Sequence, residues 1–308
     1  MILKGVVCAA PMAGITDKPF RRIMRRFGEQ ILYTEMIGAE SFVRRHPVTV
    51  KMMQVQDERN LIVQIVGANT NALVETALVA ESMGAIGIDI NMGCPVKKLI
   101  SNGSGAALMK NPLKAAEIVS AVKKAVRIPV SVKIRSGWDN DHVTAPEFSR
   151  ALVEAGADQI TVHGRTKEQG YGGLSDTSVI QAVKNAVKIP VIANGDVRDR
   201  NSALALIKKT NADGIMVGRG CLGKPWILSE IETGIRPKVN LTELVDLHVD
   251  ELLAYYGQAG IFIARKHIAW YASDYEGMST FCQNIFKVDD LKVVKRLIFN
   301  FFKDKGIV

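Results

Sequence analysis

Short, unbroken apolar runs recur eight times in the first 220 residues, at 6–10, 31–36, 62–66, 86–90, 130–134, 159–162, 191–193 and 214–217. They are rich in Val and Ile and mostly continuous rather than alternating, which marks strands buried on both faces, as in a parallel sheet. Most gaps between them place apolar residues three and four apart, at 71–82, 112–126, 146–155, 179–187 and 201–210. That is the spacing of a helix with one buried side. Strand then helix, repeated eight times at this length, predicts an α/β chain folded as a (β/α)8 TIM barrel. A doubly wound open sheet is the alternative; it usually needs fewer units and leaves the polar residues at the strand ends unexplained.

Beyond Pro237 the strand-like runs stop and helical stretches take over at 241–256, 262–271 and 289–302. We therefore expect a catalytic barrel over 1–236 and a small all-helical domain over 237–308, packed together because no low-complexity linker separates them. No apolar stretch approaches the roughly 18 residues that a membrane span needs. The opening residues up to Pro11 look like a short signal sequence, but Pro11 breaks the run and a helical pattern follows, so a first core strand is the better reading. Cys8, Cys94, Cys221 and Cys282 are scattered and form no Cys-x-x-Cys pair. Neither a metal site nor a disulfide framework is implied, and a reducing cytoplasm is the expected compartment. The net charge of +9 is uneven: residues 237–308 hold nine basic and nine acidic side chains, so the excess lies on 1–236. Its densest clusters are Arg21, Arg22, Arg25, Arg26, Arg44 and Arg45, which by default form a solvated helix face. A polyanionic partner such as nucleic acid fits this charge.

In such a barrel the functional groups sit at the C-terminal ends of the strands. Those ends carry Pro11, Met12, Ala13 and Gly14; then Gln64; then Asn91 and Cys94; then Lys133 and Arg135. The last three carry His163 and Arg165; then Asn194, Gly195 and Asp196; then Gly218 and Arg219. Polar groups within apolar runs are costly unless paired or used, and several at equivalent positions argue for a site. Cys94 follows a strand and precedes Pro95, which points the thiol off the rim; Lys97 and Lys98 just beyond could tune it. Its bland alternative is a small buried side chain. Asn194-Gly195-Asp196 and Gly218-Arg219-Gly220 suit phosphate binding at the ends of strands seven and eight. Gly218-x-Gly220-x-x-Gly223 matches a dinucleotide fingerprint, but no strand–helix–strand unit continues from it. Gly103-x-Gly105 is expected to shape a turn. Lys133 with a phosphate cup suits flavin mononucleotide, whose reduced ring gathers negative charge. A lysine bonded to a carboxylate such as Asp89, a Schiff base or another phosphate ligand remain open.

Together the windows Ala10-Pro11-Met12-Ala13-Gly14, Val63-Gln64-Ile65-Val66-Gly67, Asp89-Ile90-Asn91-Met92-Gly93-Cys94-Pro95, Val132-Lys133-Ile134-Arg135, His163-Gly164-Arg165, Asn194-Gly195-Asp196 and Gly218-Arg219-Gly220 resemble the tRNA-dihydrouridine synthases. Arg265-Lys266-His267 with Trp270-Tyr271 resembles the bacterial B-type branch. The resemblance implies a barrel with a helical tRNA-binding domain, an FMN cofactor, NADPH as reductant and a D-loop uridine of tRNA as substrate. It also implies flavin contacts from Pro11, Met12, Ala13, Gln64, Lys133, His163, Asn194, Gly195, Asp196, Gly218 and Arg219, with Cys94 as the acid. Asn91, Arg135 and Arg165 are expected on the substrate side, and Arg265, Lys266 and His267 toward RNA. Those last three are consecutive in a helix and cannot share a face, so at least one should turn to the barrel. Tyr271 and Trp270 read either as RNA contacts or as packing between the domains. A monomer is expected. A dihydroorotate-dehydrogenase-like flavin barrel acting on a free pyrimidine is the nearest rival; a non-catalytic RNA-binding barrel and a phosphate-sugar isomerase are more distant.

Overall fold

The computed structural model describes residues 5–303 and 305. Nine strands form one parallel sheet: β1 (Val6–Ala9), β2 (Leu32–Tyr33), β3 (Ile37–Gly38), β4 (Leu61–Val66), β5 (Gly87–Asn91), β6 (Val130–Arg135), β7 (Gln159–His163), β8 (Val191–Asn194) and β9 (Gly214–Val217). Their order is β1-β9-β8-β7-β6-β5-β4-β2, with β3 also on β4. The ring closes through a parallel bridge from Cys8 to Ile31. This is the expected eight-staved (β/α)8 barrel.

One stave differs from its sequence expectation. The run at 31–36 does not make a continuous strand: Tyr33 pairs with Ile62 and Ile37 with Ile65. Three residues, Thr34, Glu35 and Met36, therefore oppose two, Val63 and Gln64, which is a one-residue bulge. The Thr34 hydroxyl accepts the Gln64 amide at 3.0 Å. The extra residue brings Glu35 to the loop after β1, where its carboxylate accepts the Gly14 amide at 2.5 Å.

Helices Thr70–Ser82, Pro112–Ala125, Thr177–Ala186 and Arg200–Thr210 begin where Asn69, Asn111, Asp176 and Asp199 cap exposed amides. Ala145–Glu154 completes this set. Strand alternation sorts the side chains. Val63, Ile65, Ile88, Ile90, Val132 and Ile134 face outward into the main core with the helices. The intervening positions Gln64, Asp89, Asn91, Ser131, Lys133, Thr161 and His163 face the barrel interior, with period two.

The C-terminal part is helical, with Leu241–Tyr256, Gly260–Ala272 and Leu291–Phe302 where the sequence places them. A further helix, Met278–Ile285, fills what reads in the sequence as a connection. These helices build a second apolar cluster, into which the barrel part inserts Ile23 and Trp226. Among the described residues, no helix is long and apolar enough to cross a membrane.

Phe20 meets His248 and His267 at this junction, with ring centroids 5.7 and 5.5 Å away. The two histidines lie 4.5 Å apart. Burial pushes the His248 imidazole down to about 3 and His267 well below its usual range. Both are neutral in the fold, whereas the unfolded chain protonates them near pH 6.5. Their contribution is intact above that pH and drains below it, by about 1.4 kcal/mol per pH unit for each ring. The melting temperature should therefore fall between pH 6.5 and 5, and His248→Phe should flatten that fall in scanning calorimetry. An unchanged acid slope would remove the pair from the account.

Candidate active site

The mouth of the barrel is organised by a chain of buried polar groups. At its floor lies Asp89, fully buried on β5. Its Oδ1 accepts from the Ser131 hydroxyl at 2.6 Å and its Oδ2 from Gln64 Nε2 at 2.7 Å. Gln64 Oε1 accepts from Asn91 Nδ2 at 3.0 Å. Asn91 Oδ1 then accepts the amides of Gly93 and Cys94 at 3.1 and 2.9 Å. The path runs from the floor to the loop that carries the thiol. Gly105, at φ 59°, lies against the Cys94 backbone, and the Ala106 amide bonds the Cys94 carbonyl at 3.0 Å. Within the Gly103-x-Gly105 turn it is thus Gly105 that packs against the backbone and Cβ of Cys94, while Gly103 faces Ala68.

Cys94 is half-buried, while the other three cysteines are buried. Desolvation pushes its thiol up, against weaker lowering from the Val96 amide, Arg135 and Lys133. Lys97 and Lys98 are exposed and do not enter this balance. Cys94 is therefore a neutral thiol at neutral pH.

Lys133 projects inward from β6 and donates to Asn194 Oδ1 at 3.0 Å; Asn194 in turn donates to the Met216 carbonyl at 2.8 Å. Its bonding partner is thus Asn194 rather than Asp89. Desolvation, with Arg135 nearby, lowers the ammonium to about 8. His163 sits 3.2 Å from Arg165 Nη1 through Nε2. A guanidinium only donates, so Nε2 is the acceptor and Nδ1 carries the proton. Burial and the surrounding cations keep this ring neutral.

Asp196 has φ 54°, and Gly195 before it has φ 142°, a region that favours glycine. A Cβ at Gly195 would strike Ser175. The Asp196 carboxylate is spent on Arg165 at 2.6 Å and on the Ser175 amide at 2.8 Å. Arg219 stays half-exposed at the rim, 3.6 Å from Asp196.

The structure brings Gln64, Asn91, Cys94, Lys133, His163 and Asn194 together and gives other candidates different work. Arg135 and Arg165 are 3 % and 2 % exposed. Arg135 donates to the carbonyls of Gly93, Thr166 and Gly170, and Arg165 to those of Gly172 and Gly173. They tie loops together at the mouth. Lys266 reaches across from the helical domain to the Gly14 carbonyl, and Arg265 pairs with Asp289 at 2.6 Å. His267 is 2 % exposed inside the aromatic junction, so the sequence expectation of an RNA contact is corrected: neighbouring rings exclude it from the surface. Tyr271 is buried there too, with its hydroxyl 3.2 Å from His248 Nδ1, and Trp270 is half-buried. Three of the six clustered arginines are also engaged. Arg21 pairs with Glu58, Arg22 with Asp57 and Glu251, and Arg25 with backbone carbonyls. Arg26, Arg44 and Arg45 are exposed.

Two residues at the mouth escaped the sequence reading. Glu35 is one; a carboxylate inside the 31–36 run was its available signal. The other is Tyr171, 64 % exposed, lying 5.6 Å from both Arg135 and Arg219. Its signal was an aromatic set among Gly170, Gly172 and Gly173.

Known proteins resemble this chain along most of its length. A probable tRNA-dihydrouridine synthase of Rickettsia conorii is 40% identical over 97% of this chain and 94% of its own length. Probable tRNA-dihydrouridine synthase 1 of Synechocystis sp. is 39% identical over 97% and 86%. tRNA-dihydrouridine synthase B of Xanthomonas axonopodis pv. citri is 40% identical over 89% and 86%. Among solved structures, histamine dehydrogenase from Rhizobium sp. 4-9 superposes with a TM-score of 0.58 at 12% identity, over 80% of this chain and 48% of that one, a likeness of fold alone. The family model described as dihydrouridine synthase (Dus) matches residues 8–304, and the chain belongs to that family.

Proposed function

We propose that this protein is an FMN-dependent, NADPH-driven reductase of a D-loop uridine in tRNA, with Cys94 as its proton donor. The observation that carries this reading is the half-buried neutral thiol of Cys94, held at the barrel mouth within the same set of side chains as Lys133, Gln64 and Asn194.

The residues at the mouth fit a flavin mononucleotide. Lys133, with its ammonium on Asn194, and Gln64, with one amide hydrogen not spent on Asp89, supply donors for an electron-rich ring edge. Neutral His163 adds no charge there. At the rim, Arg219 offers a half-exposed guanidinium, and Gly218, with only the Ala10 methyl near its missing side chain, leaves its backbone open, whereas the space beside Gly195 is taken by Ser175. Because the Asp196 carboxylate is held by Arg165, that position can serve a phosphate only through its backbone. Pro11, Met12 and Ala13 lie in the loop that Glu35 and Lys266 fix at Gly14.

FMN held by these residues would supply the hydride for C6 of the uracil ring, with NADPH as the source of its electrons. The chain then has to give a proton to C5. A thiol held protonated by burial is suited to this, whereas a nucleophilic cysteine needs its pKa depressed. The uracil must leave its stack to reach Cys94, and phosphate contacts from the barrel surface must hold the RNA. Arg44 and Arg45 are exposed and offer two cations for such contacts. A family relationship to tRNA enzymes favours this over turnover of a free pyrimidine.

Cys94→Ala should keep flavin and tRNA binding while dihydrouridine formation drops about a hundredfold or more, read by dihydrouridine mapping on unmodified tRNA. Full activity in that variant would remove Cys94 as the acid. Lys133 is cationic below about 8 and neutral above it. Flavin retention should therefore weaken as pH rises through about 8, followed by release of flavin fluorescence. Lys133→Met should bind flavin more weakly and lose this dependence; an identical alkaline profile would assign it to another group.

A further inference from the structure

We infer that Asp89 is a positioning residue for the proton donor: as an obligate acceptor at the floor of the barrel, it fixes through Gln64 and Asn91 the orientation of the Cys94 loop. The inference rests on the reading of Cys94 as the acid.

The argument is one of hydrogen-bond direction. The backbone amides of Gly93 and Cys94 only donate, so they require an oxygen, and Asn91 meets them with Oδ1. That choice turns Asn91 Nδ2 inward, where it needs an acceptor, and Gln64 Oε1 supplies one. Gln64 Nε2 is then forced toward β5, and it too needs an acceptor. A carboxylate ends the sequence because both its oxygens accept, the second one from Ser131. A terminal group that offered no acceptor would release Gln64, and either primary amide could then rotate. Turned over, Asn91 would set its NH2 against two backbone N–H groups, and the loop would have to move. Displacements of about 1 Å at a reacting group cost up to a hundredfold in rate.

Every member of the path is buried: Asp89 is 0 %, Gln64 1 % and Asn91 8 % exposed. Water therefore has little access to replace a lost partner, and an unpaired amide there is costly. Asp89 is also near Lys133, so a competing role for its carboxylate is purely electrostatic. The two roles separate by substitution. Asn at this position keeps an oxygen for Gln64 and turns its amide to Ser131, whose hydroxyl reverses from donor to acceptor. It therefore preserves direction and removes charge. Leu removes both.

The test uses the flavin-loaded enzyme with two readouts. One is the single-turnover rate of dihydrouridine formation on unmodified tRNA. The other is the pH profile of iodoacetamide alkylation, which reports Cys94 because the other cysteines are buried. Asp89→Leu should slow turnover roughly ten- to a hundredfold and alter the alkylation profile, while Asp89→Asn stays within about threefold of the parent in both. If Asp89→Leu does not retain flavin, its alkylation profile is compared with that of the parent stripped of flavin, which reads the orientation of the loop without turnover. An alkylation profile unchanged in Asp89→Leu overturns the inference, as does unchanged turnover where flavin is retained. So does an Asp89→Asn enzyme as impaired as Asp89→Leu, which would leave charge as the role. A parent enzyme that forms no dihydrouridine would fail the functional reading instead, and the alkylation arm would still decide the loop's orientation.

Discussion

A carboxylate sealed inside a barrel is a large electrostatic cost, and the interior of this one is arranged around meeting it. Asp89 receives two hydrogen bonds, from Ser131 and Gln64, and has Lys133 as a nearby cation. Desolvation still pushes its carboxyl up, and these contacts oppose that rise. The same contacts orient Gln64, and Gln64 orients Asn91. The polar groups that would weaken an apolar interior thus become its geometry: they set the floor on which a ligand would lie and the height at which Cys94 stands. Apolar packing is left to the opposite faces of the strands, where Val and Ile meet the helices.

That division of labour explains what could be read from the chain. Outward Val and Ile residues make each strand visible as an apolar run, and the inward residues stand out as polar intruders at the run's end. Gln64 and Lys133 were legible for that reason. The bulge at Thr34–Glu35–Met36 was not, because it depends on pairing with β4, and register is a property of two segments. Helix Met278–Ile285 was missed since its apolar face is short and becomes meaningful only against Phe302 and its neighbours. His267 was misassigned for a related reason. A basic triplet looks like an anion surface in one dimension, but the i, i+4 geometry turns its third member into the ring cluster of Phe20, His248 and Trp270.

The helical domain has a second effect that a one-dimensional reading hides. The loop after β1 is gripped at Gly14 from two sides, its amide by Glu35 of the barrel and its carbonyl by Lys266 of the helical domain. Three residues on, Asp17 caps the first helix through the Phe20 amide and accepts from Tyr256 at 3.0 Å. Burial pushes both Glu35 and Asp17 up toward their neutral forms, and Lys266 opposes this in each. The loop expected to touch the cofactor is therefore built by both parts of the chain. Arg265 and Lys266, attractive as RNA contacts, are already occupied in holding structure, whereas Arg44 and Arg45 of the barrel are exposed.

One environment acts on Cys94 and Lys133 in opposite directions, and this opposition distinguishes the chemistry available. Desolvation favours whichever form is uncharged. It holds the thiol protonated and lowers the ammonium to about 8. A site built for thiolate attack would need the reverse at the cysteine: a strong cation close to sulfur, or a helix N-terminus aimed at it. Here the nearest lysines in sequence, Lys97 and Lys98, point to solvent, and Arg135 spends its donors on the carbonyls of Gly93, Thr166 and Gly170. The cationic influence that does reach the thiol is outweighed by its burial. Lys133 keeps its charge at neutral pH through Asp89, which counters part of the desolvation. The pair is thus set as a proton on sulfur and a positive charge on nitrogen, which is what the proposed reduction asks of them: an acid for the uracil carbon and a cation for the flavin edge.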